Sequence, residues 1–335
     1  MSGSEEQARY RYVVTAPGQG VQRAGMLDPW LEAVPGAPEL VDRWSRAAGF
    51  DIESAGRDAT LLADTAFAQP LIVAASLLSL RLLCGELALD AGDVLYAGHS
   101  VGELAAAAGA GCLDASAAVG LARVRGARMS AACAAAPTGM AAVMPTRKGG
   151  AGDEELTAAV TAAGLTVANW NGSHQFVAAG PAERVQALAE SPAPGMRVAP
   201  LAVAGAFHTG AMAPAVPGFA RAAREAGFTR PASAMVANGD GALISGPDDL
   251  RRRLVAQITS PVRWDLCGRT IERLAPDALH IELAPAGPLT RLLQRSRPDA
   301  RAVALATPED VGRAVEQARA AHEERLREPA PAGAR

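Results

Sequence analysis

Apolar and polar positions alternate in blocks along the chain, and each block's period predicts an element. Tyr12 to Ala16 is a short continuous apolar run that ends at Pro17-Gly18-Gln19-Gly20, the signature of a buried strand followed by a tight turn. Asp64 to Cys84 carries apolar residues at helical spacing with Pro70 early in the segment, and predicts a long helix. Asp93 to Ala97 predicts a second buried strand, followed at once by an alanine-rich helix over Glu103–Ala108. Asp114 is placed to cap a further helix running to about Ala135. Strands alternating with helices point to a mainly parallel sheet covered on both faces.

The pattern changes near Pro137. Strand signals over 140–144, 165–169, 175–179 and 197–203 are interleaved with helical ones over 153–163 and 182–190. That order, strand-helix-strand-strand-helix-strand, is a ferredoxin-like split unit. The fold class expected is therefore α/β, with a larger α/β-hydrolase-like domain over 10–135 and 207–320. A ferredoxin-like small domain over 136–206 is inserted into it. In the resumed large domain, helices are expected over Met212–Ala226 and Asp248–Gln257, and strands over Ala234–Ala237 and His280–Leu283. Beyond Pro308 one more helix leads into a Pro/Ala/Arg-rich end.

Composition narrows the class. With 335 residues, 49% hydrophobic and 20% charged, the chain matches an ordinary soluble enzyme, and a net charge of −3 gives no pull toward nucleic acid or anionic membrane. The polar stretch Met1–Arg11 lacks the apolar core of a secretory signal. The longest apolar run, Leu71–Leu83, contains Arg81 and is too short to span a bilayer. Four cysteines without metal spacing fit reduced thiols in a cytoplasmic protein, and the scattered histidines offer no zinc site. Lys148 is the single lysine, so the positive charge is otherwise arginine. Nothing in the sequence demands more than a monomer.

The chemistry concentrates at Gly98-His99-Ser100-Val101-Gly102, set between strand and helix. A Gly-x-Ser-x-Gly turn there holds its serine on a strained backbone with Oγ exposed, and the amide of Val101 opens the helix where a developing oxyanion can be held. Ser100 is thus the candidate nucleophile of an acyl transfer. His99 is expected to point into the sheet. His208, at the rejoining of the two units, is the candidate base, since ligand sites concentrate between domains. No acid stands at a strand end to orient it, so a Ser–His dyad oriented by a backbone carbonyl is expected. The turn at Gln19 lacks the third glycine of a dinucleotide fingerprint, Arg23 standing there. Its use would be a second oxyanion amide. Arg125 shares a helical stripe with Leu121, Arg128 and Met129, apart from Arg123, and could hold a substrate carboxylate through two parallel hydrogen bonds.

Taken together, Pro17-Gly18-Gln19-Gly20, Gly98 to Glu103, Val124-Arg125-Gly126, Gly205-Ala206-Phe207-His208 and Gln257 to Trp264 resemble the malonyl-CoA:acyl carrier protein transacylases of fatty acid and polyketide synthesis. The resemblance covers roughly residues 10–310 and is greatest to the discrete, stand-alone form. It implies Ser100 as nucleophile, His208 as base, the Gln19 and Val101 amides as oxyanion hole, and Arg125 as anchor of the malonyl carboxylate. It further implies that the Gln257 carbonyl orients His208 and that Asn169, Asn171, Gln69, Met129 and Met140 line the pocket. The partners implied are malonyl-CoA and an acyl carrier protein, with no metal or bound organic cofactor. Phe207 resembles the malonyl-selective form of its motif, and Arg263 is a candidate for a carrier-docking face. Ala16 and Val21 depart from the family's usual phenylalanine and serine. The alternatives are transfer or editing hydrolysis of another acyl thioester, a general serine esterase, and a non-catalytic carrier-binding scaffold.

Overall fold

A computed structural model describes residues 10–146, 150–172 and 174–327. The polar N-terminal stretch through residue 9, Lys148 and the chain end from 328 lie outside them. The strands are β1 (Tyr12–Ala16), β2 (Val94–Gly98), β3 (Thr138–Pro145), β4 (Thr166–Gly172), β5 (Gln175–Pro181), β6 (Met196–Pro200), β7 (Ala234–Val236), β8 (Val262–Arg263), β9 (Leu279–Glu282) and β10 (Ala302–Ala304).

One sheet has the order β10-β9-β1-β2-β7 with every pairing parallel. All five residues of β1 and of β2 are buried, as a parallel sheet covered on both faces requires. The helix Thr65–Glu86 covers one face and is apolar nearly all round, with sixteen buried residues. Asp64 caps it by accepting a hydrogen bond from the Ala66 amide at 2.9 Å. Although it is long and apolar enough to cross a membrane, 78% of its most apolar window is buried inside the protein. It is therefore a core helix here. Helix Ala115–Cys133, capped by Asp114, packs against it closely enough that a Cβ on Gly126 would sit 2.3 Å from the Thr65 carbonyl oxygen. That approach brings Arg125 to the inner side of the bundle.

A second sheet has the order β6-β3-β5-β4-β8. Its first four strands pair antiparallel, and β8, from far downstream, joins β4 in parallel. Helices Asp153–Ala162 and Ala182–Glu190 belong to this sheet's own small core, with Leu156, Val160, Val185 and Leu188 packed among Ala141, Val143 and Phe176.

Several segments differ from expectation for local reasons. The helix expected over 212–226 is a 3-10 turn, Gly210–Ala215, followed by an α-helix, Val216–Glu225. Pro214 removes an amide donor and Pro217 is suited only to a first turn, so the helix restarts there. The strand expected to reach Val203 stops at Pro200. Residues 28–63 hold four helices, the twelve-residue Ala37–Ala48 and three of five or six residues, and Asp51 and Asp58 cap two of the short ones. Two-residue β8 and three-residue β10 are too short to show periodicity.

The turn after β2 needs its glycines. A Cβ on Gly98 would lie 2.2 Å from the Gly102 carbonyl carbon, and one on Gly102 would lie 2.2 Å from the Ala16 carbonyl oxygen. Both obstacles are backbone and cannot rotate away. Gly102→Ala is therefore expected to destabilise the protein by about 3 kcal/mol, read as a lowered urea midpoint. An unchanged midpoint would mean that the elbow tolerates a wider separation of β1 and helix Gly102–Gly109.

Candidate active site

Ser100 sits in the left-handed region at φ 55°, a conformation that a non-glycine residue adopts at a cost. Its amide donates to the Asn238 side-chain oxygen at 2.9 Å, while the neighbouring His99 amide donates to the Ala16 carbonyl at 2.9 Å. These bonds tie the strained residue to β1 and to the end of β7. Val101 is the N-cap of helix Gly102–Gly109, and the Gly102, Glu103 and Leu104 amides that follow it bond back to the His99, Ser100 and Val101 carbonyls at 3.0–3.1 Å. Gln19, in the turn after β1, lines the same cleft as Ser100, and its side chain donates to Thr65 Oγ1 at 3.1 Å.

His208 is also left-handed, at φ 62°, and only 3% exposed. Its Nε2 is 2.8 Å from Ser100 Oγ and its Nδ1 2.9 Å from the Gln257 carbonyl oxygen. A carbonyl can only accept, so Nδ1 carries the proton and Nε2 is left as acceptor for the serine hydroxyl. Burial, and next the charge of Arg125, push the imidazole down to about 3. It is neutral throughout the physiological range. The second-order constant for acylation of Ser100 is accordingly expected to vary less than about twofold between pH 5 and 7, without the inflection of an ordinary histidine near 6.5. Quenched-flow mass measurement across that range checks this, and a fall centred near 6.5 would place the base in a wetter setting.

Behind this pair lies a buried polar layer. Arg125, 2% exposed, donates to Gln69 Oε1 at 2.9 Å, to Gln257 Oε1 at 2.8 Å and to Ser100 Oγ at 3.2 Å. Burial lowers it to about 10, which still leaves it charged near neutrality. Gln69 Nε2 lies 3.6 Å from Met129 Sδ. Gln257 Nε2 donates to Asn238 Oδ1 at 2.9 Å and, more closely, to Glu103. Glu103 also accepts from the Asn238 amide at 2.7 Å. Burial pushes its carboxyl up to about 8, against the pull of these donors and of Arg125. Sequence reasoning did not assign Glu103 or Asn238. The signals were available: Glu103 directly follows the elbow, and Asn238 stands just past a parallel strand's carboxyl end, where sites in α/β sheets form.

The open cleft has a volume of about 470 Å³ and runs between the two sheets. Gln19, Ser100, Met140, Asn169, Asn171 and His208 line it, while Gln69, Arg125, Met129 and Gln257 form the layer beneath. His99 does not point into the sheet. Its ring also faces the cleft, with Nε2 3.3 Å from Asn171 Oδ1 and 3.4 Å from Asn169 Nδ2, and Trp264 edge-on at 5.6 Å. β2 ends at Gly98, so His99 lies past the strand and strand alternation no longer sets its side-chain direction. Arg123 turns away, donating to the Ala66 carbonyl at 2.9 Å. Arg263 is paired with Asp265 at 2.7 Å and lies over the Trp170 ring, whereas Arg291 and Arg295 stand at the cleft itself.

A nucleophile elbow on a parallel sheet, with a histidine at hydrogen-bond distance and a buried arginine behind it, defines a serine acyltransferase class of site. The chain belongs to the acyl transferase domain family, whose model matches residues 12–295. It is 44% identical over 298 residues to the malonyl CoA-acyl carrier protein transacylase of Mycobacterium bovis, covering 88% of this chain and 96% of that protein. The protein of the same name from Mycolicibacterium smegmatis is 43% identical over 291 residues, covering 85% and 98%. Among solved structures, the transacylase of Mycobacterium tuberculosis superposes with a TM-score of 0.85 at 42% identity, covering 91% of this chain and 99% of that one.

Proposed function

We infer that this chain is a malonyl-CoA:acyl carrier protein transacylase, moving a malonyl group from malonyl-CoA to the phosphopantetheine thiol of a carrier protein. The observation that carries the reading is the arrangement around Ser100 Oγ: His208 Nε2 at 2.8 Å on one side and the Arg125 guanidinium at 3.2 Å on the other. A base alone would suit any acyl group. A buried guanidinium beside the nucleophile suits an acyl group that ends in a carboxylate.

In the proposed route, Ser100 Oγ attacks the thioester carbonyl carbon as its proton passes to His208 Nε2. The C–O bond forms and the carbonyl electron pair moves onto oxygen, where the Gln19 and Val101 amides receive it. Collapse of this intermediate breaks the C–S bond, and His208 returns the proton to the departing CoA sulfur. A malonyl-serine ester remains. The carrier thiol then gives its proton to His208 and attacks the ester carbonyl; the C–O bond to Ser100 breaks and His208 returns the proton to Ser100 Oγ. The Gln257 carbonyl fixes the imidazole tautomer for both halves, so no acid is required. Arg125 exchanges its contact with Ser100 Oγ for the malonyl carboxylate and keeps Gln69 and Gln257 as supports. Asn169, Asn171, Met129 and Met140 shape the space around the acyl group. The route calls for no metal or organic cofactor.

The second sheet supports a finer reading of the architecture. Taking the strands between 136 and 206 in chain order, their spatial order is fourth, first, third, second, all antiparallel, with both helices packed in one small core. We read this as a ferredoxin-like unit inserted between 10–135 and 207–320 of the larger α/β domain, with the cleft between them. The β8 pairing then ties the inserted sheet to the larger domain.

Intact-mass measurement after mixing with malonyl-CoA tests the reaction. A single malonyl adduct is expected, and it is discharged when phosphopantetheinylated carrier protein is added. Absence of the adduct overturns the covalent route. An adduct that decays equally fast with and without carrier protein makes the enzyme a hydrolase instead.

A further inference from the structure

Two groups of opposite charge type stand one amide apart behind the nucleophile. Arg125 Nη2 donates to Gln257 Oε1 at 2.8 Å, and Gln257 Nε2 donates in turn to Glu103. Both end groups are only 2% exposed. The hydrogen bonds of Arg125 go to Gln69, Gln257 and Ser100, none of them a carboxylate, so Glu103 is its counterion at one remove. The glutamine amide is held in one sense, since a donor meets its oxygen and an acceptor meets its nitrogen. Glu103 is equally fixed, one oxygen accepting from the Asn238 amide at 2.7 Å and the other from Gln257.

One guanidinium with one carboxylate is close to neutral, whereas two carboxylates on one guanidinium leave a net charge in a dry layer, which is costly. The malonyl carboxylate would bond the guanidinium directly, from the side of the open cleft. Glu103 lies behind, reaching it only through the Gln257 amide. Of the two, Glu103 is the one to surrender its charge. We propose that Glu103 ionisation and malonyl loading oppose one another: Glu103 takes up one proton when the malonyl carboxylate binds Arg125, and releases it when malonyl leaves on the carrier thiol. The proton comes from the buffered solvent and forms an O–H bond on the carboxyl; nothing else is exchanged. Glu103 touches no substrate, so it is a positioning residue that sets specificity through Gln257 and Arg125. The proposal rests on the acyl-transfer reading, in which Arg125 holds that carboxylate.

Burial opposes the charge of Glu103, while its two donors, Arg125 and Arg253 favour it, and the balance falls at about 8 in the free protein. Arg253 acts from helix Pro247–Gln257, and the Cys267 thiol, on helix Trp264–Leu274, is kept protonated by burial. Arg123 turns away to the Ala66 carbonyl, and Tyr12 of β1 pairs with Val94 at the strand end away from the elbow. On β2 and helix Thr65–Glu86, Tyr96, Cys84 and Arg81 act on one another, Tyr96 meeting the far end of the Glu103 helix at Gly109. Below about 8 Glu103 is neutral, and the uncompensated Arg125 favours a carboxylate. Above it Glu103 is ionised and competes with malonyl for the same guanidinium. Arg125 itself stays charged up to about 10.

The ratio of second-order acylation constants for malonyl-CoA and acetyl-CoA is expected to fall about 3- to 10-fold between pH 7 and 9. Glu103→Gln, of the same length and uncharged at every pH, should hold its own ratio constant across that range, whatever its overall rate. A measurement on the native chain stands beside it. In weakly buffered solution at pH 8, an indicator dye should report uptake of about half a proton per malonyl adduct counted by intact mass, and none per acetyl adduct. The release of CoA is common to both substrates and cancels. A ratio that stays flat in the native chain overturns the proposal, as does equal proton uptake with the two substrates. A fall that persists in Glu103→Gln assigns the titration to Arg125 or Cys267 and overturns it too. Those results leave the malonyl adduct in place, whereas absence of any adduct removes the acyl-transfer reading and this proposal with it.

Discussion

Ser100→Ala is expected to form no malonyl adduct, and its transfer of malonyl to carrier protein to fall by about 10⁴-fold or more. The geometry leaves no substitute for the hydroxyl. His208 Nε2 and the Arg125 guanidinium both converge on Ser100 Oγ, at 2.8 and 3.2 Å, and no other hydroxyl shares that position. Removing Oγ does not disturb the elbow, because the bonds that hold it are made by the Ser100 amide and by the backbone of residues 99–103. The variant should thus melt near the native temperature and still bind malonyl-CoA. An adduct that persists in Ser100→Ala, located elsewhere by peptide mapping, would remove this serine from the mechanism.

Arg125→Ala is the second large effect. The specificity constant for malonyl-CoA is expected to drop by roughly 10²- to 10³-fold, while acylation by acetyl-CoA changes far less. The native preference for the carboxylated substrate therefore collapses. The reason is the dry position of the guanidinium, 2% exposed and supported by Gln69 and Gln257, where an uncompensated charge is costly and a carboxylate partner relieves it. Arg125→Lys keeps the charge but cannot reach two glutamines and a carboxylate with one ammonium, so it should recover only part of the loss. Paired rate measurements with malonyl-CoA and acetyl-CoA decide the matter. An equal loss for both substrates would show that Arg125 acts by holding Ser100 and Gln257 in place, not by reading the carboxylate.

Both predictions rest on residues that the sequence brought forward singly and that the fold assembled. The elbow was legible because its requirements are local: two glycines that cannot bear a Cβ, a strand before and a helix after. The capping aspartate Asp114 was legible for the same reason, since it reaches amides two and three residues ahead. Three of the four helices over 28–63 were not, because segments of five or six residues give too few turns for a period to emerge. The twelve-residue Ala37–Ala48 was missed although its buried Ala37, Val41, Trp44 and Ala48 recur at helical spacing. Nor was the direction of His99 legible, since that residue lies one past the end of β2.

What the sequence by itself determined is the set of local commitments: the buried parallel strands, the strained serine, and an arginine on the inner stripe of its helix. The tertiary structure alone decided the electrical setting of those groups. Arg125 meets Gln69 and Gln257 across 56 and 132 residues of chain, His208 meets the Gln257 carbonyl across 49, and Glu103 meets Gln257 across 154. Backbone propensity acts over a few residues, and so is written where it acts. Burial and charge act through space, between segments that only the packing of the sheet and its helices brings together.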